Sequence, residues 1–221
     1  LKAFTFSQIE HLSKSVQDLS ILKLIWIRSF SMDNFLIEDD NIKIKKFEKN
    51  DLNNFKNFSP YDDILLTDYN LCFLKESEIK KWEKKIKSKK NNYFVIFLNE
   101  IMIGYIGISR ISFLNSNYEL SLSLDEKYCS KGYGFKSLRL FLEYYFENFD
   151  KCSIWLNVNA FNQRAIKLYE KIGFEKISEF LGDFEVQKMQ KLKRYEETKE
   201  YFEEKNNIIY SKIFTMKLDR L

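Results

Sequence analysis

At 221 residues the chain holds one domain with extensions, or at most two small domains, and it can bury a sizeable core. Apolar residues make up 45% and charged residues 31%, with 13 Tyr and 21 Phe, which excludes a disordered chain. The formal charge is only +4, from 36 basic and 32 acidic residues scattered along the sequence, so no basic block points to a nucleic-acid partner.

One histidine, His11, and three cysteines, Cys72, Cys129 and Cys152, lack the spacing of a metal site, and no metal is expected. They fit a reducing, cytoplasmic setting. The apolar stretch over 19–30 is broken by Lys23 and Arg28 and is shorter than a membrane span, so no membrane partner is expected. No signal peptide is read at this N-terminus.

Residues 1–40 read as an N-terminal helical extension. Ser7 and Glu10 have capping-box spacing, and Ile9, Leu12, Val16 and Leu19 follow as one apolar stripe. Such a helix packs on the main domain or serves a homodimer contact. The main domain, 41–221, opens with the alternating Ile42, Lys43, Ile44 and Lys45 of a half-buried strand. Residues 51–58 read as helical and Pro60 as loop; a helix capped by Ser77 then carries Ile79, Trp82 and Ile86 on one face.

Two strands, 93–98 and 101–112, flank the turn Asn99-Glu100, and a third covers 118–125. Together they predict an antiparallel meander. A glycine-bearing loop, Cys129-Ser130-Lys131-Gly132-Tyr133-Gly134, then opens onto the helical spacing of Leu138, Leu142 and Tyr145. A strand at 153–158, a helix over 162–172 stopped by Gly173, and a strand at 174–180 follow. Residues 183–205 predict a long charged helix, with Val186, Met189, Leu192 and Tyr195 three apart and Lys193/Glu197 and Lys199/Glu203 as pairs. A last strand covers 208–218. The fold class is α/β, a mixed sheet flanked by helices.

Gly132 and Gly134 between a strand and a helix let the loop turn tightly and present unpaired N–H groups to an anion. Two glycines are a weak signal alone, and this is not the dinucleotide fingerprint, because the third glycine is missing. Neither is there the lysine-serine ending of a P-loop. About 30 residues later comes Asn162-Gln163-Arg164-Ala165-Ile166-Lys167-Leu168-Tyr169-Glu170-Lys171-Ile172-Gly173-Phe174. This segment closely resembles the GNAT superfamily of N-acetyltransferases, matching its N-x-R-A-x-x-L-Y-E-K-x-G-F pattern at every fixed position. The upstream loop is similar to that family's [QR]-x-x-G-x-[GA] pyrophosphate loop, with Cys129 where Gln or Arg is usual.

The resemblance covers roughly 42–180 and the last strand, and is greatest to the branch that acetylates N-terminal amines of ribosomal proteins and related small amines. It implies a mostly antiparallel sheet splayed between its fourth and fifth strands, with acetyl-CoA as co-substrate in the opening. The backbone of Leu122, Ser123 and Leu124 would pair with the pantetheine arm. Cys129, Ser130, Lys131, Gly132, Tyr133, Gly134 and Phe135 would hold the pyrophosphate. Asn157 and Asn162 would be side-chain contacts near the cofactor, and Tyr169 would sit close to the sulfur as general acid.

The resemblance also places a carboxylate on the strand before the Asn162 helix, where this chain has Asn157, and an amide cannot take a proton. Glu119, on the strand entering the loop, is the remaining candidate base; a plain surface glutamate is the other reading. An α-amine with a pKa near 8 is already partly neutral at physiological pH, whereas a lysine amine near 10.4 is almost wholly charged. A weak base therefore favours an α-amine or an amino-sugar amine, on a peptide or small molecule, as the acceptor partner. The competing expectation is a catalytically silent acyl-CoA-binding module whose extra helices mediate assembly.

Overall fold

The structure is a computed structural model that describes residues 36–39, 41–88, 90–111, 117–148, 153–190 and 192–219. The N-terminal helix expected within 1–40 falls outside the described residues, apart from a strand at its end. That strand, β1 (Leu36–Asp39), pairs antiparallel with β2 (Ile42–Lys46) and was not anticipated among the acidic residues there. The sheet therefore begins five residues before the first strand expected from the sequence.

β3 (Asn91–Leu98), β4 (Ile101–Arg110) and β5 (Asn117–Leu124) extend β2 as the antiparallel meander that alternation predicts. Asn99 takes the left-handed φ of 53° that the two-residue turn between β3 and β4 requires. The period of two sends Tyr93 and Val95 to one face and Phe94 and Ile96 to the other, and all four are buried. On the first face, the helix α1 (Glu76–Lys87) places Trp82 against Phe47, Phe55, Tyr93 and Tyr105. Its cap is Lys75, with Glu78 closing a capping box, and not Ser77. The stretch expected to be helical at 51–58 is a 3-10 segment, Lys49–Asn57. On the second face, α2 (Tyr133–Asn148) buries Leu138, Phe141, Leu142 and Tyr145, with Phe141 against Phe94 at 5.1 Å between ring centroids.

β6 (Ser153–Asn159) runs parallel to β5, but only Asn117, Tyr118 and Glu119 find partners, in Ser153, Ile154 and Trp155. Beyond Glu119 the two strands part. α3 (Gln163–Ile172) follows, capped by Asn162, whose Oδ1 accepts from the Ala165 N–H at 3.2 Å, and stopped by Gly173 at φ 113°. Among the described residues β7 (Glu175–Asp183) is a sheet edge and pairs only with β9 (Ile208–Asp219), which also pairs with β6. The order is β1-β2-β3-β4-β5-β6-β9-β7.

The expected long helix over 183–205 is overturned. The insertion is instead an extended segment, a short helix α4 (Lys193–Glu197), a 3-10 turn, and the strand β8 (Phe202–Lys205) hairpinned to β9. Tertiary burial outweighs the local three-residue spacing: Phe184, Met189, Tyr195 and Phe202 pack with Leu65, Phe161 and Ile209 into a separate apolar cluster. A continuous helix could not turn all four toward Phe161. Asn206 and Asn207 make the hairpin turn, both with left-handed φ.

Candidate active site

The divergence of β5 from β6 is the origin of the site. From residue 120 onward, the edge of β5 facing β6 has no strand partner among the described residues, so its backbone polar groups are open to another chain or a ligand. A cleft of about 300 Å³ lies there. Leu122, Ser123 and Leu124 form one wall, Asn162, Arg164, Ala165, Leu168 and Tyr169 of α3 the other, and Ser130, Gly132, Gly134 and Phe135 one end.

The two glycines of the loop serve different needs. Gly132 stands at φ 84° with open space around it, and Ser130 before it at φ 59°; the left-handed turns fold successive N–H groups into a concavity suited to an anion. The first bond of α2 runs from the Lys136 N–H to the Gly132 carbonyl, at 3.0 Å. Residues 132–135 thus keep the free N–H groups of a helix start. Gly134 has ordinary backbone, but a Cβ there would stand 3.1 Å from Leu124 Cδ1 and 3.4 Å from Leu168 Cδ2. Its missing side chain lets α2, β5 and α3 converge.

Cys129 lines the cleft, with Sγ 3.4 Å from Tyr61 Oη and 3.6 Å from the Asp125 carbonyl oxygen. Burial pushes its thiol pKa up, against the hydrogen bond with Tyr61 and the charge of Arg164, which disfavours the thiolate form that a nucleophile needs. Tyr61 Oη donates to the Leu124 carbonyl at 2.7 Å, and Arg164 lies 5.3 Å above its ring. Lys131 is exposed, and Tyr133 packs edge-on against Tyr128; neither lines the cleft.

Tyr169 is buried in the cleft wall, 5.7 Å from the Phe174 ring. Burial holds its phenol pKa well above the ordinary value, with Tyr69 adding in the same direction. The shift favours the protonated phenol, which has a hydrogen to donate. Tyr69 and Tyr61 come from the loop and 3-10 turn (Ile64–Tyr69) after Pro60, and both line the cleft, with Leu66 beside them. No periodic or motif signal marks these residues, whose placement depends wholly on packing.

Glu119 and Asn157 meet at the point where the strands part. Asn157 Nδ2 donates to Glu119 Oε1 at 3.2 Å, and Asn157 Oδ1 accepts from Thr215 Oγ1 at 2.9 Å. They do not line the first cleft but a second pocket of about 320 Å³, with Ile111, Trp155 and Phe180. Asn157 therefore sits with the candidate base and not along the cleft walls. No helix among the described residues is long and apolar enough to cross a membrane.

Residues 43–175 match the model of the acetyltransferase (GNAT) domain. The chain belongs to the GNAT acetyltransferase family. Among solved structures it is similar to the spermidine N-acetyltransferase of Vibrio cholerae in complex with CoA and spermine. That likeness has a TM-score of 0.61 and 17% identity, over 82% of this chain and 96% of that one. It is also similar to the ribosomal-protein-S5-alanine acetyltransferase of Vibrio fischeri, with a TM-score of 0.56 and 15% identity over 84% and 97% of the two chains. At such identities the likeness is one of fold. In sequence it is 23% identical over 103 residues to the spermidine N(1)-acetyltransferase of Escherichia coli (strain K12), 47% of this chain and 55% of that protein. The chain thus spans about half the length of the curated relative it matches. In this GNAT domain, β1 makes the diverging pair the fifth and sixth strands rather than the fourth and fifth.

Proposed function

We propose that the protein transfers an acetyl group from acetyl-CoA to a primary amine by direct attack in a ternary complex. The observation that carries this reading is the divergence of β5 and β6 immediately beyond Glu119, with a glycine-bearing loop of left-handed turns at one end of the resulting cleft and a buried phenol, Tyr169, in its wall. Backbone N–H groups of 130–135 hold the pyrophosphate. The unpaired edge of β5 at Leu122 and Ser123 takes the pantetheine amides, while the Leu124 carbonyl is already engaged by Tyr61.

The amine enters from the side of the second pocket and loses a proton to Glu119, directly or through water, which frees its lone pair. Nitrogen attacks the thioester carbonyl carbon, the tetrahedral adduct collapses, and the C–S bond breaks. The thiolate takes the phenol proton of Tyr169, and the proton shed by the acylated nitrogen restores the phenol. The balance is one amide, one thiol and one proton released to solvent. Asn157 holds the Glu119 carboxylate across the gap between the strands and leaves it to act as the base.

This arrangement favours an α-amine or amino-sugar amine, already partly neutral at physiological pH, over a more basic one. The relatives' names place spermidine and spermine on the same test panel. Release of CoA thiol from acetyl-CoA is measured with N-terminal peptides, amino sugars, polyamines and lysine peptides. The expected result is turnover that depends on one amine class. Binding of acetyl-CoA without turnover on any of them would favour the silent module.

A further inference from the structure

The pocket that holds Glu119 differs in chemistry from the cofactor cleft. Among its described lining residues Glu119 is the one carboxylate, at the end of a hydrogen-bonded chain that runs from Thr215 Oγ1 through Asn157. The rest of the lining is apolar: Ile111, Trp155, Leu156 and Phe180. Strand register explains the grouping. Glu119 on β5 stands opposite Trp155 on β6, and Asn157 opposite Thr215 on β9. The bulge in β7 between Lys176 and Ser178 sets Ser178 opposite Thr215, so Phe180, two residues on, comes to the same side of the sheet.

Phe180 is 46% exposed and Ile111 56%, so two large apolar side chains lie uncovered beside the group that is to hold an amine. Such a surface gains by taking an apolar group out of water. It suits a polyamine poorly, because each further ammonium brought into the pocket calls for an anion of its own, and the lining offers Glu119 alone. The Trp155 ring could hold a cation over its face, but Lys217 Nζ already stands 5.5 Å from its centroid. The hydroxyls of an amino sugar would likewise lose water against apolar walls.

We infer that the acceptor is a primary amine with a large apolar or aromatic group close beside it, and that Phe180 selects it by covering that group while Glu119 receives the amine. This rests on the acetyl-CoA reading above and narrows its acceptor. Two sources share the chemistry: the N-terminus of a peptide whose first residue is large and apolar, and a free arylalkylamine. Phe180 is a specificity-determining residue here and takes no part in the bond changes.

The experiment measures release of CoA thiol from acetyl-CoA with peptides of one sequence that begin with Gly, Ala, Leu or Phe, and with phenylethylamine, glucosamine and spermidine. For the wild type we expect kcat/KM to be at least about tenfold higher with a Leu or Phe first residue than with Gly, the range of an apolar contact in a pocket. Turnover of phenylethylamine at a matching rate would assign a free amine, and turnover of the peptides alone a protein or peptide N-terminus. In Phe180→Ala that gap is expected to close to about twofold, through a raised KM for the Leu and Phe peptides with kcat largely kept, and Phe180→Leu is expected to restore most of it. Calorimetric titration with acetyl-CoA checks that each variant is folded, and the wild-type panel decides the inference even where a variant is not. Equal rates for the Gly and Phe peptides, a preference for spermidine or glucosamine, or a gap that survives Phe180→Ala would overturn the inference and leave the acetyltransferase reading standing. Acetyl-CoA binding with no turnover of any apolar amine would overturn it as well. Failure of the wild type to bind acetyl-CoA would defeat the acetyl-CoA reading itself, and this inference with it.

Discussion

On the proposed reading Tyr169 is a donor because of where it sits. Its phenol is buried, and burial raises its pKa above the ordinary value, which favours the protonated form. Replacing it by Phe keeps the contact with Phe174 and removes the proton. On the proposed reading kcat falls roughly a hundredfold or more while acetyl-CoA affinity holds, which steady-state kinetics and a binding titration separate. The same shift has a pH consequence. The rate with any amine is expected to climb as the amine loses its proton and to show no falling limb up to about pH 10, the ordinary phenol value, because the raised phenol is still protonated there. A falling limb near neutrality would mean that another group supplies the proton. The glycines separate in the same way: Gly132→Ala forces a side chain into the left-handed region at a cost of about 1–2 kcal/mol, although nothing crowds it. A melting point lower by several degrees and weaker CoA binding are expected from that change, read by calorimetry.

The residue pattern over 162–174 was legible because every signal in it is local: an Asn cap, a helix with one apolar face, and a glycine at positive φ. The element that misled was the insertion. Val186, Met189, Leu192 and Tyr195 do recur three apart, yet Lys188 takes a φ of 63° and the run is broken before α4. Helical spacing is a local property, whereas Phe184, Met189, Tyr195 and Phe202 are arranged by a common contact with Phe161 and Leu65. The turn residues Asn206-Asn207 were the available clue to the hairpin, since both tolerate positive φ. The packed insertion also grips the turn that carries Tyr69. Arg194 Nη2 and Nε donate to Asp63 Oδ2 at 2.7 and 2.9 Å, while Asp63 Oδ1 accepts from the Leu65 N–H at 3.1 Å.

Asp63→Asn keeps the oxygen that caps the turn and discards the ion pair, so it tests the grip alone. We expect a loss of about 1 kcal/mol or less in stability, as for other partly exposed pairs, which Arg194→Met reproduces without further loss in the double variant. Burial raises the Asp63 carboxyl pKa, but the Arg194 hydrogen bond and charge and the Leu65 N–H outweigh it, and the folded value lies below the ordinary one. The contribution of the pair is therefore complete above the unfolded carboxylate value of about 3.9 and is lost as pH falls through the lower folded value. Acid titration of melting points is expected to show this loss in the wild type and not in Arg194→Met.

At the scale of the whole molecule, the meander was legible from alternation, because each of its strands pairs with its sequence neighbour. The cleft was not legible from period or propensity. It exists because β5 and β6, which are separated in sequence by α2, pair for three residues and then part, and the motifs alone indicated that something binds there. Glu119 and Asn157 sit on the two strands at the point of parting, Tyr169 stands in the wall beyond it, and the nest at 130–135 closes the far end. On the proposed reading, the cofactor cleft and the acceptor pocket share the gap between two strands. The most direct test of that claim is a crystal structure of the protein with acetyl-CoA. The account predicts pyrophosphate oxygens within hydrogen-bond distance of the N–H groups of 130–135, pantetheine along Leu122 and Ser123, and sulfur within reach of Tyr169. Acetyl-CoA bound elsewhere on the surface, or with its thioester remote from Tyr169, would contradict it.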